Sequence, residues 1–227
     1  MVLLRCLYYL CQNSSVDIIH PAFQEYAEQL TSAEDSLLKE VADFTRAHHT
    51  EYHMLSGHLQ GKFLEMASCM ISPKRILEIG TFTGYSALCL AKGLAKDGQL
   101  HTIELRPEDM EKAKSFFSRS QYADRIITHT GNALDIIAGL NETWDLVFID
   151  ADKPAYIEYF NLVLPRLRKN GYILADNIFF HGQVLDEEVK GKSAKGIVAF
   201  NDFIKQRHDI EKVVITLRDG LYLIRKL

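Results

Sequence analysis

Beyond Pro73 the chain alternates between two textures, and that alternation limits its fold more than any other feature. Short runs rich in aliphatic and β-branched residues, RILEIG, LHTIEL, RIITHT, DLVFID and GYILAD, are separated by stretches whose apolar residues recur at helical spacing. The helical stretches are Tyr85 to Ala95, Pro107 to Ser120, Leu134 to Leu140 and Pro154 to Leu167. Neighbouring parallel strands need a crossover connection, and a helix supplies one, so this order predicts a parallel sheet with helices on both faces. Two further runs, EKVVITL and LYLIRK, are joined only by RDG, a hairpin signal that sets one of them antiparallel to the rest. The expected fold class is α/β: a seven-stranded, mostly parallel sheet with one antiparallel strand near the C-terminus.

Upstream of Pro73 the pattern is helical throughout. Leu37, Leu38, Val41 and Phe44 share one helical face, as do Phe63, Leu64, Ala67 and Met70. No repeat or low-complexity linker interrupts the 227 residues. One domain over residues 1–227 is expected, with extra N-terminal helices in residues 1–72 and the α/β core in 73–227. The opening MVLLRCLYYLC is apolar, but Arg5 interrupts it and no small-residue cleavage site follows, so it reads as an amphipathic first helix rather than a signal peptide. Cys6, Cys11, Cys69 and Cys89 form no CxxC pair or disulfide framework, which fits a reducing, cytoplasmic setting. No apolar run nears the ~20 residues that span a bilayer. A net charge of −4 gives no general attraction to nucleic acid or anionic membrane.

In such sheets a ligand sits beyond the carboxyl ends of the strands, where strand order reverses, and the polar clusters gather at those ends. LEIGTFTGYS runs from a strand through a glycine loop into a helix start. Gly80 and Gly84 allow a tight turn and close approach to a ligand, although such a loop can also be a plain connection. Phe82 stands where a dinucleotide fingerprint has glycine, which favours a nucleoside or amino-acid moiety over a pyrophosphate. Glu104, about 20 residues on at the end of the next strand, is suited to accept both ribose hydroxyl protons. The GNA of Gly131 to Ala133 leaves backbone amides open to an adenine edge.

LVFIDADK raises a different question, because charge that closes a buried strand is costly unless something binds it. Asp150 ends one strand and Asp176 with Asn177 ends the next. Hard oxygen donors of this kind suit Mg²⁺, Mn²⁺ or Ca²⁺, whereas aspartates that merely cap strands toward solvent are the plainer reading.

These motifs together resemble the class I, S-adenosylmethionine-dependent, cation-dependent O-methyltransferases of the caffeoyl-CoA and catechol type. The resemblance runs from about Met54 to the C-terminus and rests on LEIGTFTGYS, DADK followed by Y..YF, ADN and LRDGLYLIRK. It implies a Rossmann-like fold. It also implies that Ser56, Glu78, Gly80, Thr81, Ser86, Glu104 and Ala133 hold S-adenosylmethionine, with Asp152 and Tyr159 on the other wall. Asp150, Asp176 and Asn177 would hold the divalent cation, and Lys153 would take the proton of the substrate hydroxyl.

The chemistry agrees with that implication. Phenols titrate near ~10 and are poor nucleophiles at neutral pH, and a cation that grips two adjacent hydroxyls both acidifies and orients them. The same cation would push the pKa of Lys153 down and make it a base, while a simple pair with Asp152 is the alternative.

The expected activity is methyl transfer to a hydroxyl of a small catechol-like or phenylpropanoid-type aromatic. Methylation of a hydroxyuridine in tRNA, as bacterial relatives perform, is the rival within enzymes, and a non-catalytic regulatory module that only binds the cofactor is the rival outside them. By resemblance a homodimer through the N-terminal helices is also expected.

The sequence departs from the family at IFFHGQ, where His181 replaces an asparagine that touches substrate in some relatives. Phe179 or Phe180 is a candidate wall for an aromatic acceptor, with ordinary packing as the alternative. His49 and His53 stand at i, i+4 and would share a helix face, though a zinc site would need a third ligand. Lys190, Lys192 and Lys195 read as a solvated loop or as contacts to a phosphate-bearing substrate.

Overall fold

Strands that are covered on both faces must be apolar at odd and even positions alike, and the central strands meet that demand. A computed structural model describes residues 18–227; the amphipathic helix expected at the start, with Cys6 and Cys11, lies outside the described residues. The strands are β1 (Arg75–Ile79), β2 (Gln99–Glu104), β3 (Ile126–Thr130), β4 (Trp144–Ile149), β5 (Leu167–Asp176), β6 (Ile210–Ile215) and β7 (Leu221–Lys226). They form one seven-stranded sheet in the order β3-β2-β1-β4-β5-β7-β6. All pairings from β3 to β5 are parallel, and β7 runs antiparallel to both of its neighbours. The RDG hairpin therefore turns β7 as expected. Strand order reverses at β1, which has β2 on one side and β4 on the other.

Alternate residues of the central strands feed two cores. Ile76, Leu146, Phe148 and Leu174 face one side, where α2 (Ser36–His48), α3 (Gly57–Ile71), α4 (Tyr85–Ala91) and α5 (Pro107–Phe117) supply Val41, Leu64, Leu88 and Phe116. Leu77, Ile79, Val147, Ile149 and Ile173 face the other, under Ile137 of α6 (Ala133–Gly139), Phe160 of α7 (Tyr156–Val163) and Phe200 of α8 (Lys192–Lys205). A short helix, α1 (Pro21–Leu30), precedes these and leaves Phe23, Tyr26 and Leu30 exposed.

Local sequence accounts for the boundaries. Asp35 caps α2 by accepting the Leu38 N–H at 2.9 Å. Pro107 opens α5 where its missing donor costs nothing. The stretch from Pro154 to Leu167 yields a shorter helix than expected, because Pro154 lies in a preceding 3₁₀ turn and Pro165 in a following one. Two further expectations change. His49 caps α2 in an extended conformation and His53 sits in a separate 3₁₀ turn, Tyr52–Met54, so the two histidines do not share a helix face. Lys192 and Lys195 belong to the first turn of α8 rather than to a loop. Among the described residues no helix is long and apolar enough to cross a membrane.

Candidate active site

A cavity of about 590 Å³ opens over the carboxyl ends of β1, β2, β4 and β5. Its lining includes Ser56, Gly80, Thr81, Ser86, Glu104, Ala133, Asp152 and Tyr159, together with Asp150, Lys153, Asp176, Asn177, Phe180 and His181. Residues read from separate motifs thus face one space. Phe179 is not among them: its ring packs against the second core and the turn at Gly220.

The floor of the cavity depends on one close approach. Gly80 has φ +100, and a Cβ there would lie 1.9 Å from the Asp150 carbonyl oxygen, so no other residue fits between the ends of β1 and β4. The Asp150 N–H in turn donates to the Ile79 carbonyl at 2.9 Å. Two residues on, Phe82 takes the left-handed conformation, φ +51, at the position where a dinucleotide loop has glycine. That backbone is held by Glu104, whose Oε2 accepts the Phe82 N–H at 2.7 Å while Oε1 accepts the Arg106 N–H at 3.0 Å. The Phe82 ring meets the edge of His49 at 4.4 Å and the Arg106 guanidinium at 5.6 Å. His49 is itself fixed 3.1 Å from Asp109 Oδ1, a structural contact rather than a metal site.

Glu78 lies beneath this loop, fully buried and outside the cavity lining. Thr102 Oγ1 lies 2.5 Å from its Oε2, and Thr81 Oγ1 lies 2.5 Å from Thr102 Oγ1. Burial above all pushes the Glu78 carboxyl up to about 8; Asp150 and Glu104 add to the rise, against the Ser86 and Thr102 hydroxyls. Among the described residues its Oε1 has no partner at hydrogen-bond geometry, the Ser86 hydroxyl acting on the carboxyl from nearby.

The opposite wall is a charged corner. Lys153 Nζ donates to Asp150 Oδ1 at 2.9 Å and to the Tyr156 hydroxyl at 2.8 Å. The lysine therefore pairs with Asp150, not with Asp152, whose carboxylate accepts the Tyr159 O–H. The Tyr156 O–H reaches the carbonyls of Ile149 at 3.2 Å and Asp176 at 3.1 Å and so joins the ends of β4 and β5. Asp176 is buried; its Oδ2 accepts Gln60 Nε2 at 2.7 Å and its Oδ1 accepts the Asn177 N–H at 2.8 Å. Burial, and next the Asp150 charge, push Asp176 up to about 6. Burial works to lower the Lys153 pKa, but Asp150, Tyr156 and Asp176 outweigh it and hold the ammonium above its ordinary range.

A buried Asp176 whose proton affinity is raised by burial and by the Asp150 charge, beside an Asp150 that Lys153 already pairs with, makes a corner that a hard dication would relieve, and the residues present fit such an ion. The third donor would be an amide oxygen. No cluster of three or more His, Cys, Asp and Glu side chains fit to hold a metal occurs among the described residues.

Several supporting residues escaped the sequence reading. Gln60 carried no local signal, and Tyr156 was visible only as the first letter of Y..YF. Arg218 and Asp219 read merely as a turn, yet both line the cavity.

The O-methyltransferase family model matches residues 28–227. The chain belongs to the O-methyltransferase family. Its activity class is S-adenosylmethionine-dependent O-methyl transfer, of the caffeoyl-CoA and catechol type. The chain is 35% identical to a catechol O-methyltransferase of Niastella koreensis over 70% of its own length and 73% of that protein's. It is 30% identical to a probable caffeoyl-CoA O-methyltransferase of Dictyostelium discoideum over 89% of each. Among solved structures, the O-methyltransferase TomG of Streptomyces achromogenes in complex with SAM superposes with a TM-score of 0.83 at 31% identity, covering 90% of this O-methyltransferase and 96% of TomG. An O-methyltransferase of Bacillus cereus bound to SAH gives 0.83 at 30% identity over 91% and 97%.

Proposed function

We propose that this O-methyltransferase is cation-dependent and methylates one hydroxyl of a small vicinal-diol aromatic. The observation that carries the reading is the corner itself: Asp150 and Asp176 converge from adjoining strand ends, with Asn177 beside them and Lys153 Nζ 2.9 Å from Asp150. The similarity to a catechol O-methyltransferase and to a probable caffeoyl-CoA O-methyltransferase supports the acceptor class.

When bound, S-adenosylmethionine supplies the methyl group, and a divalent cation held by Asp150, Asp176 and Asn177 acidifies the acceptor hydroxyl. The protein's own groups do the rest. Glu104 accepts from the ribose hydroxyls, and the loop of Gly80 and Thr81 lets backbone approach the donor. Ser56, Ser86 and Ala133 on one side, with Asp152 and Tyr159 on the other, confine it, and Glu78 supports the loop from below. Phe180 and His181 wall the acceptor side. Lys153 Nζ is the atom proposed to receive the acceptor's proton: its acidic neighbours by themselves hold it as the ammonium, and neutralising the Asp150 and Asp176 charges with a bound cation would bring down its pKa and free the amine. A homodimer accords with the exposed Phe23, Tyr26 and Leu30 of α1 and Met66 and Met70 of α3, and light scattering would measure its mass.

The test is methyl transfer to catechol-type acceptors and to undermodified tRNA, each with Mg²⁺ and with EDTA. Product from the catechols that disappears in EDTA is the expected result. Product from tRNA alone would replace the acceptor class, and EDTA-resistant turnover would remove the cation.

A further inference from the structure

The cavity has one wall that the family's motifs leave without a role, the turn Arg218-Asp219-Gly220 before β7. The Asp219 carbonyl accepts the Phe179 N–H at 3.0 Å, and the Gly220 carbonyl accepts the Ile178 N–H at 3.2 Å. Asp219 Oδ1 accepts the His181 N–H at 2.7 Å; Oδ2 lies 3.4 Å from Asn177 Nδ2 and 3.8 Å from His181 Nδ1. Gly220, at φ +80, lets the turn press against the loop, since a Cβ there would meet the Phe179 ring at 2.4 Å.

The loop needs this support because its backbone is unfavourable by itself. Asn177, Phe180 and His181 have φ of +58, +45 and +55; Asn and His enter this left-handed region more readily than most residues, but for the bulky Phe180 it is an outlier that its surroundings must hold. Arg218 extends the same turn to the other ligand: its guanidinium donates to the Ser56 carbonyl at 2.5 Å and lies 3.4 Å from Gln60 Oε1, and Gln60 Nε2 donates to Asp176.

We propose that Asp219 is a positioning residue for the cation corner and the acceptor loop. Its carboxylate turns the Asn177 amide so that nitrogen faces Asp219 and oxygen, the only ligating atom of that side chain, is left for the cation. The same carboxylate locks the backbone that carries Phe180 and His181. This rests on the reading of Asp150, Asp176 and Asn177 as the cation's ligands. Groups that orient ligands from behind change metal affinity when removed, even though they never touch the metal.

Asp219→Asn is the discriminating change. A carboxylate offers two acceptor atoms and an amide one, so in the variant either the His181 N–H or Asn177 Nδ2 must face another donor. Mn²⁺ binding to the full chain is measured by the loss of its free electron paramagnetic resonance signal, alongside calorimetric binding of S-adenosylhomocysteine. Expected is a loss of Mn²⁺ affinity of about 10- to 100-fold, with S-adenosylhomocysteine affinity nearly unchanged. Asp219→Ala should do the same, and the Asn variant, equal in size, guards against a folding defect. Unchanged Mn²⁺ affinity in both variants overturns the proposal, as does an equal loss of both ligands. Asp150→Ala separates the two levels: if it binds Mn²⁺ as the unsubstituted chain does, the ligand assignment fails and this inference with it, whereas if it alone loses Mn²⁺, only the role of Asp219 falls.

Discussion

Glu78 carries its proton unusually far up the pH scale, and the sign of the consequence is fixed. The native carboxyl titrates near about 8 and the unfolded one near 4.5, so between those values the unfolded chain binds fewer protons and stability falls as pH rises. Glu78→Gln keeps an acceptor for Thr102 and removes the titration. Its unfolding free energy without ligand, measured by urea titration, should therefore show a shallower decline than the parent's across that window; parallel curves would place the Glu78 pKa near its ordinary value. Asp150 and Lys153 are separable by what they leave intact. Asp150→Ala should abolish cation-dependent turnover while S-adenosylhomocysteine affinity stays within a few-fold. Lys153→Ala should slow the chemical step by roughly 10²- to 10⁴-fold, the usual worth of a positioned acid or base, with Mn²⁺ still bound. Single-turnover kinetics at saturating acceptor would measure the second, and a rate like the parent's would take the proton from some other group.

The elements meet through contacts that no single segment encodes. Tyr156, at the start of α7, spans the ends of β4 and β5 with one hydroxyl and accepts from the ammonium of Lys153. Tyr156→Phe leaves two buried carbonyls and a buried ammonium each short of a partner, at a cost of about 1–3 kcal/mol. The expected outcome is a lower Tm together with reduced kcat at unchanged S-adenosylhomocysteine affinity; a drop in stability alone would make Tyr156 a brace and nothing more. The order of strands and crossovers was legible because sheet and helix periodicities are local, and so was the turn of β7, because a three-residue joint permits little else. The aspartate and glutamate positions were legible for a related reason, since they end apolar runs. What stayed hidden was partnering across distance. Gln60 meets Asp176 from 116 positions away, and Asp219 meets Asn177 from 42. The His49 and His53 spacing misled because α2 stops at His48, a boundary that periodicity cannot locate.

Ser56 and Leu55, from the N-terminal helical region, line the same cavity as the strand ends of the α/β core. A ligand seated there stabilises both at once. At about 100 times its Kd, S-adenosylhomocysteine should add ~2.7 kcal/mol, which for a chain of this size raises Tm by roughly 5–10 °C. Calorimetry should show one transition moving as a unit; a second transition that ignores the ligand would mean that the helical region unfolds independently. The contact of Gly80 with the Asp150 carbonyl has a last implication. With no room for a side chain between them, the loop after β1 and the end of β4 meet backbone to backbone, so any substitution at Gly80 must push the two strand ends apart. Phe180 and His181 line the cavity without taking part in that contact, so exchanging them should change which acceptor is preferred while S-adenosylhomocysteine affinity holds, a difference that competition between acceptors would measure.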